Sequence, residues 1–550
     1  MIQKIMNLFF TCAYSWCARI LRDARLRKAT PSSSGRAPRV GYLNASLSFG
    51  LKGLKKAFHK LCCYEEIQNG ARPEEPAVAL AKAGRLEGYE RERVVYPEPS
   101  RRERLIRYSA PTSLFFLILF ICATTSLMAF APTNFFRPYD AAIRLPLVTD
   151  ADFRFGARLE YGDASTGRNF DDFRRNILAL HDDSESALKM LASPVGAVAT
   201  NAQLLALKAR FLALGFLGDP LDNGIRGHEK FSGRFKELDT TLWGSYYLPF
   251  EQIPGTLAVS LHLPVVFKRV DGVTFVDQTS TTSRGTALNA DNATRLLTGP
   301  GLLQPFVQSV GNLDLSNWNQ TGLGDMVLMF DWWREYRQEK EFLRWVTLLA
   351  KVGISFPTGK EKNEDKAFSM PLGNDGAWGL PIGIGMELDF VHNIKAGLDV
   401  DFLVLFDKKR IRRLKTDPEQ TEILLLNKGV ATKEHGLTWQ FHLFLQAYHF
   451  VEGLSAKMAY QFVKHDDDTL DPQGNDFDFS IVNSGTSVKE WTLHNLIFSL
   501  NYDLFTQRDC YKDEYTSGVV PQFQLFYKVA VGGRNVIDAN TIGGQLGIHF

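Results

Sequence analysis

Cysteine is scarce in most of this chain. Five of its six cysteines precede residue 123, and only Cys510 follows that point. A single thiol can neither close an internal disulfide nor supply a cysteine metal centre. The adjacent Cys62 and Cys63 also lack the spacing of a zinc-binding pair. We therefore predict no disulfide scaffold, no metal site and no cofactor.

Long apolar segments are equally scarce. The mean hydropathy of −0.14 excludes a helical membrane bundle, and the one long apolar run spans residues 113–131. Four arginines between 101 and 107 precede this run, and Ala129-Phe130-Ala131 closes it. A basic segment, an apolar segment and a small-residue end predict a secretory signal peptide over 101–131. The alternative is a transmembrane helix, but the run barely reaches the ~20 apolar residues that such a helix needs.

Charge is divided in nearly the same place. Residues 1–110 contain 21 Lys+Arg and 10 Asp+Glu, a net charge of +11, whereas the remaining 440 residues contain 42 and 51, a net charge of −9. Residues 1–100 show no sustained periodicity, so we predict that this basic extension is disordered or absent from the mature protein. A retained cytoplasmic extension is the alternative. The exported region is then 132–550.

The exported region is dominated by segments in which apolar and polar residues alternate, the pattern of β-strands. Each segment is close to the ~9–11 residues that a tilted strand needs to cross a membrane. An even number of strands also returns both ends of a barrel to the same side. The predicted strands are 152–162, 240–250, 256–266, 323–333, 344–356, 380–390, 394–406, 437–449, 453–463, 490–504, 519–531 and 541–550.

The links between these strands alternate in length. Links such as 391–393 and 450–452 are short, whereas links such as 267–322 and 407–436 are long; 532–540 is the one short link among the long set. Outer-membrane barrels have short periplasmic turns and longer external loops. The sequence therefore predicts an all-β fold, an antiparallel up-and-down transmembrane β-barrel of about 12 strands.

The first long link contains a helical pattern. Phe170, Phe173, Ile177 and Leu180 recur at helical spacing, and residues 204–214 have the pattern of a second helix. We predict a small helical insert over 168–216. It either packs over one mouth of the barrel or folds into the lumen as a plug.

The last ten residues have apolar side chains on one face of a strand and end on Phe550. This ending resembles the closing strand of bacterial outer-membrane barrels, whose terminal phenylalanine is recognised by the assembly machinery. The resemblance implies that Phe550 is an assembly signal and that the protein lies in the outer membrane of a Gram-negative bacterium.

Three short glycine-containing motifs occur in the middle of the chain: Gly322-Leu-Gly-Asp325, Gly353-Ile-Ser-Phe-Pro-Thr-Gly359 and Pro371-Leu-Gly373. Together they resemble the outer-membrane transporter-like family associated with phenol meta-pathway gene clusters. The resemblance covers about 85 of the 550 residues. It implies a channel or uptake barrel for small molecules, and it brings no catalytic residues.

Strand alternation directs a set of charged residues toward the lumen. Because acidic rings favour cations, we predict an acid-biased polar passage for small molecules. The alternative is that these charges pair with lumen lysines and fill a narrow barrel. Gly383 and Gly385 alternate with large apolar residues and are expected to leave room in the lumen. The predicted lumen-lining residues are Asp325, Lys351, Glu387, Asp389, Asp399, Asp401, His442 and Lys457.

Two other classes of function stay open. A phospholipase-like barrel enzyme would need a nucleophile and a base close together, and Ser455 with His442 is the nearest candidate pair. A structural or adhesive barrel is the third class. We predict outer-membrane lipid, lipopolysaccharide, the assembly machinery and a small permeant as partners, and no nucleic acid. The basic cluster 408–415 suits lipopolysaccharide phosphates, although a merely solvated loop is the alternative.

Overall fold

A computed structural model describes residues 136–146, 153–187, 189–191, 209, 228–248, 253–278, 303–451, 453–503 and 520–549. The predicted extension 1–100, the predicted signal peptide 101–131 and Phe550 lie outside these residues.

Twelve long strands among the described residues form one closed antiparallel barrel. Each long strand pairs with its neighbours in the chain, and β1 closes the barrel by pairing with both β2 and β12. The fold class predicted from the sequence is therefore confirmed. The strands are β1 Phe153–Arg168, β2 His228–Leu248, β3 Thr256–Asp277, β4 Met326–Arg337, β5 Leu343–Phe356, β6 Gly379–Phe390, β7 Ile394–Leu405, β8 Thr438–Val451, β9 Leu454–His465, β10 Trp491–Asp503, β11 Val520–Arg534 and β12 Val536–His549.

The two ends of the barrel differ in the length of their links. Residues 391–393 join β6 to β7 at the end that we call the short-link end, whereas 406–437 join β7 to β8 at the long-link end. The strands β2 and β3 contain 21 and 22 residues, about twice the predicted length, and extend furthest at the long-link end. The predicted 532–540 link is instead a tight hairpin, because β11 and β12 are separated only by Asn535, which has a φ of 53°.

The wall of the barrel has an apolar outer face and a polar inner face. In β6, Ile384 and Met386 are 61% and 40% exposed, whereas Asp399 and Asp401 of the neighbouring β7 are 2% and 1% exposed. Gly383 and Gly385 pair with these two aspartates. A Cβ on either glycine would collide with the facing carboxylate, so both glycines give the aspartates room inside the barrel.

The long loops form an apolar core over the long-link end. Ile177 and Met190 of the first loop pack in one buried cluster with Phe231 and Phe235 of β2 and with Leu303 of helix α1 (Leu303–Gly311). The described part of the first loop contains two short 3-10 helices, Ile177–Ala179 and Lys189–Leu191, and the helical pattern predicted from Phe170 to Leu180 is there reduced to the first of them. They pack over the mouth of the barrel, and the predicted helix 204–214 lies largely outside the described residues. No described helix is long and apolar enough to cross a membrane.

The basic cluster 408–415 lies in a small three-stranded sheet beyond the barrel, formed by Lys408–Arg413, Lys428–Glu434 and Thr469–Pro472. Its arginines are not merely solvated. Arg410 Nη2 lies 2.6 Å from Glu364 Oε1, and Arg412 Nη1 lies 2.7 Å from Asp375 Oδ2. These charges therefore join two long loops to each other.

Candidate functional site: an occluded lumen

Residues 136–146, which we call the lumen segment, lie inside the barrel. Two 3-10 helices, Arg137–Tyr139 and Ala141–Ile143, shape the segment, and the Asp140 carboxylate accepts a hydrogen bond from the N–H of Ala142 at its turn. Pro138 suits the first helix because it has no N–H to leave unpaired there. The segment contacts the long-link end through Phe136 and reaches the short-link end before β1 begins.

Three charged side chains attach the lumen segment to the wall. Arg137 forms an ion pair with Glu237 and lies 3.7 Å from Glu160 and 3.9 Å from Asp239. Asp140 is contacted by Lys528 Nζ at 3.0 Å. Such buried charges are tolerated only when they are paired, because removing a charge from water costs several kcal/mol. The segment and the wall therefore neutralise each other.

Arg144 makes the third attachment, closer to the short-link end. Its Nη2 lies 2.8 Å from Glu387 Oε1 and its Nη1 lies 3.6 Å from Asp399 Oδ1. Glu387 and Asp399 are on β6 and β7, on the opposite side of the segment from the β1 and β2 carboxylates that Arg137 contacts. The segment is thus held from two sides of the barrel.

Apolar contacts also hold the lumen segment. Phe136 is fully buried against Leu403, Leu405 and Leu493 at the long-link end. Ile143 is fully buried in a second cluster with Phe444 and neighbouring wall residues. Burying one such side chain stabilises a folded state by roughly 1.5–3 kcal/mol. The lumen segment is therefore a packed element of the barrel interior.

Most of the predicted lumen residues lie together on the inner wall. Asp401 accepts from Lys351 Nζ at 2.8 Å and from Gln440 Nε2 at 2.8 Å. His442 Nε2 lies 3.0 Å from Asp399 Oδ2. In this geometry the carboxylates face cations, so the carboxylates do not line an open acidic passage.

The other three predicted residues are spread along the barrel. Lys395 Nζ lies 3.8 Å from Asp389 near the short-link end, and Lys457 Nζ lies 5.0 Å from the centre of the Phe444 ring. Asp325 is placed apart from the rest. It precedes β4 at the long-link end and accepts hydrogen bonds from the backbone N–H groups of Gly359 and Asn374.

Asp325 joins the three motifs that carry the family resemblance. Its carboxylate packs against Gly373, where a Cβ would collide with it. Thr358 Oγ1 donates to the carbonyl of Gly324 at 2.7 Å and accepts from the N–H of Met326 at 3.0 Å. The motifs therefore form one clasp between β4 and the loop after β5, and this clasp explains their glycines by close packing.

The sequence prediction missed the lumen segment and the charges that it contacts on β1 and β2. Glu160, Glu237 and Asp239 are between 2% and 4% exposed. Alternation in 152–162 could have found Glu160, because Arg154, Arg158 and Glu160 share one face opposite Phe155 and Leu159. The segment itself has no periodicity, and its burial depends on partners more than 20 residues away.

The geometry required of an esterase is not present at Ser455. Its hydroxyl accepts a hydrogen bond from the backbone N–H of His449 at 3.0 Å, while His449 Nε2 lies 2.7 Å from Asp503. His442 pairs in register with Gln461, six residues further along β9. Within the described part of the chain, Ser455 therefore has a hydrogen bond with the backbone of a histidine and none with an imidazole. Among the described residues, no group of three or more His, Cys, Asp or Glu is arranged to hold a metal ion.

Comparisons with known proteins give distant likenesses only. No family model matches the chain, and no curated protein matches it. Among solved structures, the chain is similar to the COG4313 outer membrane channel from Pseudomonas putida F1, with 11% identity, a TM-score of 0.39, and 74% of this chain and 98% of that chain covered. The NanC porin has 9% identity and a TM-score of 0.25, covering 57% of this chain and 93% of that one. The P. putida toluene transporter TodX has 9% identity and a TM-score of 0.26, covering 73% and 91%.

Proposed function

We propose that this protein is an outer-membrane channel or transporter-like barrel, through which small molecules pass passively along a polar lumen. The observation that carries this proposal is a closed twelve-strand wall, apolar outside, whose charged interior is occupied by a separate segment of chain. A lumen lined with Glu160, Glu237, Asp239, Glu387 and Asp399 can fill with water when that segment leaves. An ordinary apolar protein core could not do so.

The ends of the barrel suggest its orientation. Short turns face the periplasm in barrels of this type and long loops face outward, so we propose that the capped long-link end faces the outside of the cell. We further propose that residues 101–131 direct export and that Phe550 is the signal read by the assembly machinery. Lipopolysaccharide phosphates would contact the outer loops, where Lys409 is an exposed cation of the small sheet.

An enzyme is the second candidate, and the geometry at Ser455 gives it no support. A structural barrel is the third, and it is distinguished by permeability. The test is swelling of liposomes that contain the full-length protein, in sugars, amino acids and aromatic acids. An Arg137→Gln variant, in which the strongest attachment of the lumen segment is lost, serves as the unlocked form.

We expect little swelling with the unaltered protein and clear swelling with Arg137→Gln. Empty liposomes and liposomes containing an Arg174→Gln variant are the controls, because Arg174 pairs with Asp538 outside the lumen segment's contacts. If both lumen forms are as impermeable as empty liposomes, the protein is not a channel.

A further inference from the structure

A cavity of about 120 Å³ lies between the lumen segment and the wall. Tyr139 and Leu145 of the segment form one side, and Arg154, Trp243 and Tyr247 lie on the other. Arg154 is the second residue of β1 and Tyr247 the penultimate residue of β2, which places the cavity near the short-link end. A water molecule needs roughly 10–15 Å³ of such space, so the cavity has room for several waters or for a compound with one ring.

Arg154 is a buried cation beside this cavity. It is 6% exposed, and no carboxylate of a described residue lies within 4.0 Å of its guanidinium. Its Nη2 donates to the neutral Gln522 Oε1 at 2.9 Å, and its Nε has no hydrogen-bond partner among the described residues. Asp503 and Tyr247 attract its charge, but neither forms an ion pair with it within 4.0 Å. A buried guanidinium with so little compensation favours an accompanying anion.

Aromatic rings surround the same guanidinium. The Arg154 Cζ atom lies 4.9 Å from the centre of the Trp243 ring, and Tyr247 makes an edge-on contact with Trp333 at 5.7 Å. Gly156 leaves space for the Trp243 indole, since a Cβ on Gly156 would collide with it, and Gly547 leaves space for Leu145 in the same way. The site is thus shaped for a flat ring next to a positive charge.

The unpaired polar atoms of the site are mostly donors. Within the described part of the chain, the indole N–H groups of Trp243 and Trp333 are buried without an acceptor, as is the Nε of Arg154. Three carboxylates line the cavity, and each already faces a partner. Asp331 accepts from Ser260 Oγ at 3.1 Å and lies opposite Lys351 in the strand register. Asp140 is contacted by Lys528 Nζ at 3.0 Å, and Asp399 lies 3.6 Å from Arg144 Nη1. Unpaired buried donors favour a ligand that brings acceptors.

We propose that this cavity binds a small aromatic carboxylate, with the carboxylate on Arg154 and the ring against Trp243 and Tyr247. The ligand supplies the anion that Arg154 lacks and the acceptors that the indole N–H groups lack. Since Tyr139 and Leu145 form one wall, a bound ligand also stabilises the seated position of the lumen segment by linkage. Binding itself does not depend on the proposed channel function.

The test is calorimetric titration of the full-length protein in detergent with benzoate, benzyl alcohol and acetate. We expect benzoate to bind at least tenfold more tightly than either of the others, because only benzoate has both the charge and the ring. Arg154→Gln should weaken benzoate binding at least tenfold and leave benzyl alcohol unchanged. Lys268→Gln is the matched control, since Lys268 is a buried lumen cation that already donates to the carbonyl of Pro371 at 2.7 Å.

A second variant, Trp243→Leu, removes the ring while it keeps Arg154, and it should also weaken benzoate binding. Folding of each variant is checked by the heat-dependent mobility of the barrel on a gel. If Arg154→Gln does not fold, Trp243→Leu still tests the proposal. Equal binding of benzoate to the unaltered protein and both variants overturns the proposal, and so does an equal loss in Lys268→Gln. Benzoate binding by a barrel that never conducts would overturn the channel function alone, whereas a conducting barrel that does not bind benzoate overturns the site alone.

Discussion

We predict that the ion pairs of Arg137 hold the lumen segment in its seated position. In the seated state its guanidinium contacts three buried carboxylates, Glu160, Glu237 and Asp239. Removing one partner of a buried ionic cluster costs about 3–5 kcal/mol, because the remaining charges stay buried without compensation. Three cations remain nearby: Lys528 at 3.2 Å and Arg158 at 4.0 Å from Glu160, and Lys268 at 3.9 Å from Glu237. Because these cations compensate part of the loss, Arg137→Gln should destabilise the seated state by about 3 kcal/mol.

The cost applies to the seated state alone, because water solvates the same carboxylates when the segment leaves. Arg137→Gln should then shift the balance toward the displaced state by roughly a hundredfold, since 1.4 kcal/mol corresponds to a factor of ten. The measurement is the open probability of single channels in a planar bilayer. Arg137→Lys, which keeps the charge, should open less often than Arg137→Gln.

A double variant tests whether charge is the cause. Arg137→Gln with Glu237→Gln removes one charge of each sign, and it should open less often than Arg137→Gln alone because fewer carboxylates are left uncompensated. The reasoning is refuted if Arg137→Gln opens no more often than the unaltered protein. It is also refuted if the double variant opens as often as the single one.

Four further predictions concern other parts of the chain. Ile384→Arg places a charge on the lipid-facing side of the middle of β6 and should destabilise the barrel in lipid by about 2–4 kcal/mol in a urea titration. The control is Ile411→Arg on the small outer sheet, which should change little although Ile411 is 59% exposed and Ile384 61% exposed. Equal effects of the two substitutions would contradict a lipid-facing β6. Channels opened by Arg137→Gln should show a cation-selective reversal potential in a potassium chloride gradient, because wall carboxylates then lose their arginine partners; an anion preference would contradict this. Burial and the neighbouring Asp182 carboxylate raise the pKa of Glu185 in the first loop to about 8. The stability of the loop's packing should therefore be greatest below the ordinary pKa of about 4.3 and decrease as the pH rises through 8. Hydrogen exchange of the loop amides, corrected for intrinsic rates, should show this decrease, and Glu185→Gln should abolish it. N-terminal sequencing of membrane-purified protein should begin near residue 132, and a start well before Pro132 would contradict removal of the preceding residues.

The barrel could be predicted from the sequence because its evidence is local and repeated. Alternation of side chains in segments such as 380–390 and 394–406 follows directly from strand geometry, and the lengths of the links need no knowledge of contacts. The extra length of β2 was not predicted, because its first half faces the loop core rather than lipid. Phe231 and Phe235 are buried there, on the face where lumen residues lie further along the strand.

The candidate site could be predicted only in part. Alternation placed Asp399 and Asp401 on the inner face, and the structure has them there, but alternation does not report what fills the lumen. Arg137 and Arg144 lie in a segment with no period, and their partners on β1, β2, β6 and β7 are brought to them by closure of the barrel. For Asp325, alternation predicted a side chain in the lumen. The residue lies just before β4, and the backbone of a neighbouring loop donates hydrogen bonds to its carboxylate instead.

The chemistry of the interior bears on whether the lumen segment is a fixed core or a removable one. If apolar contacts alone held the lumen segment, its departure would expose an apolar inner surface to water, at a cost of roughly 25 cal/mol for each Å². Here the wall that it leaves contains carboxylates, amides and lysines, which water solvates as well as the segment does. The large apolar attachments are Phe136, Ile143 and Leu145, each exposed by 1% or less. When a segment held by ion pairs and these three side chains leaves, the wall behind it is wettable, and this property distinguishes an occluded passage from a filled barrel.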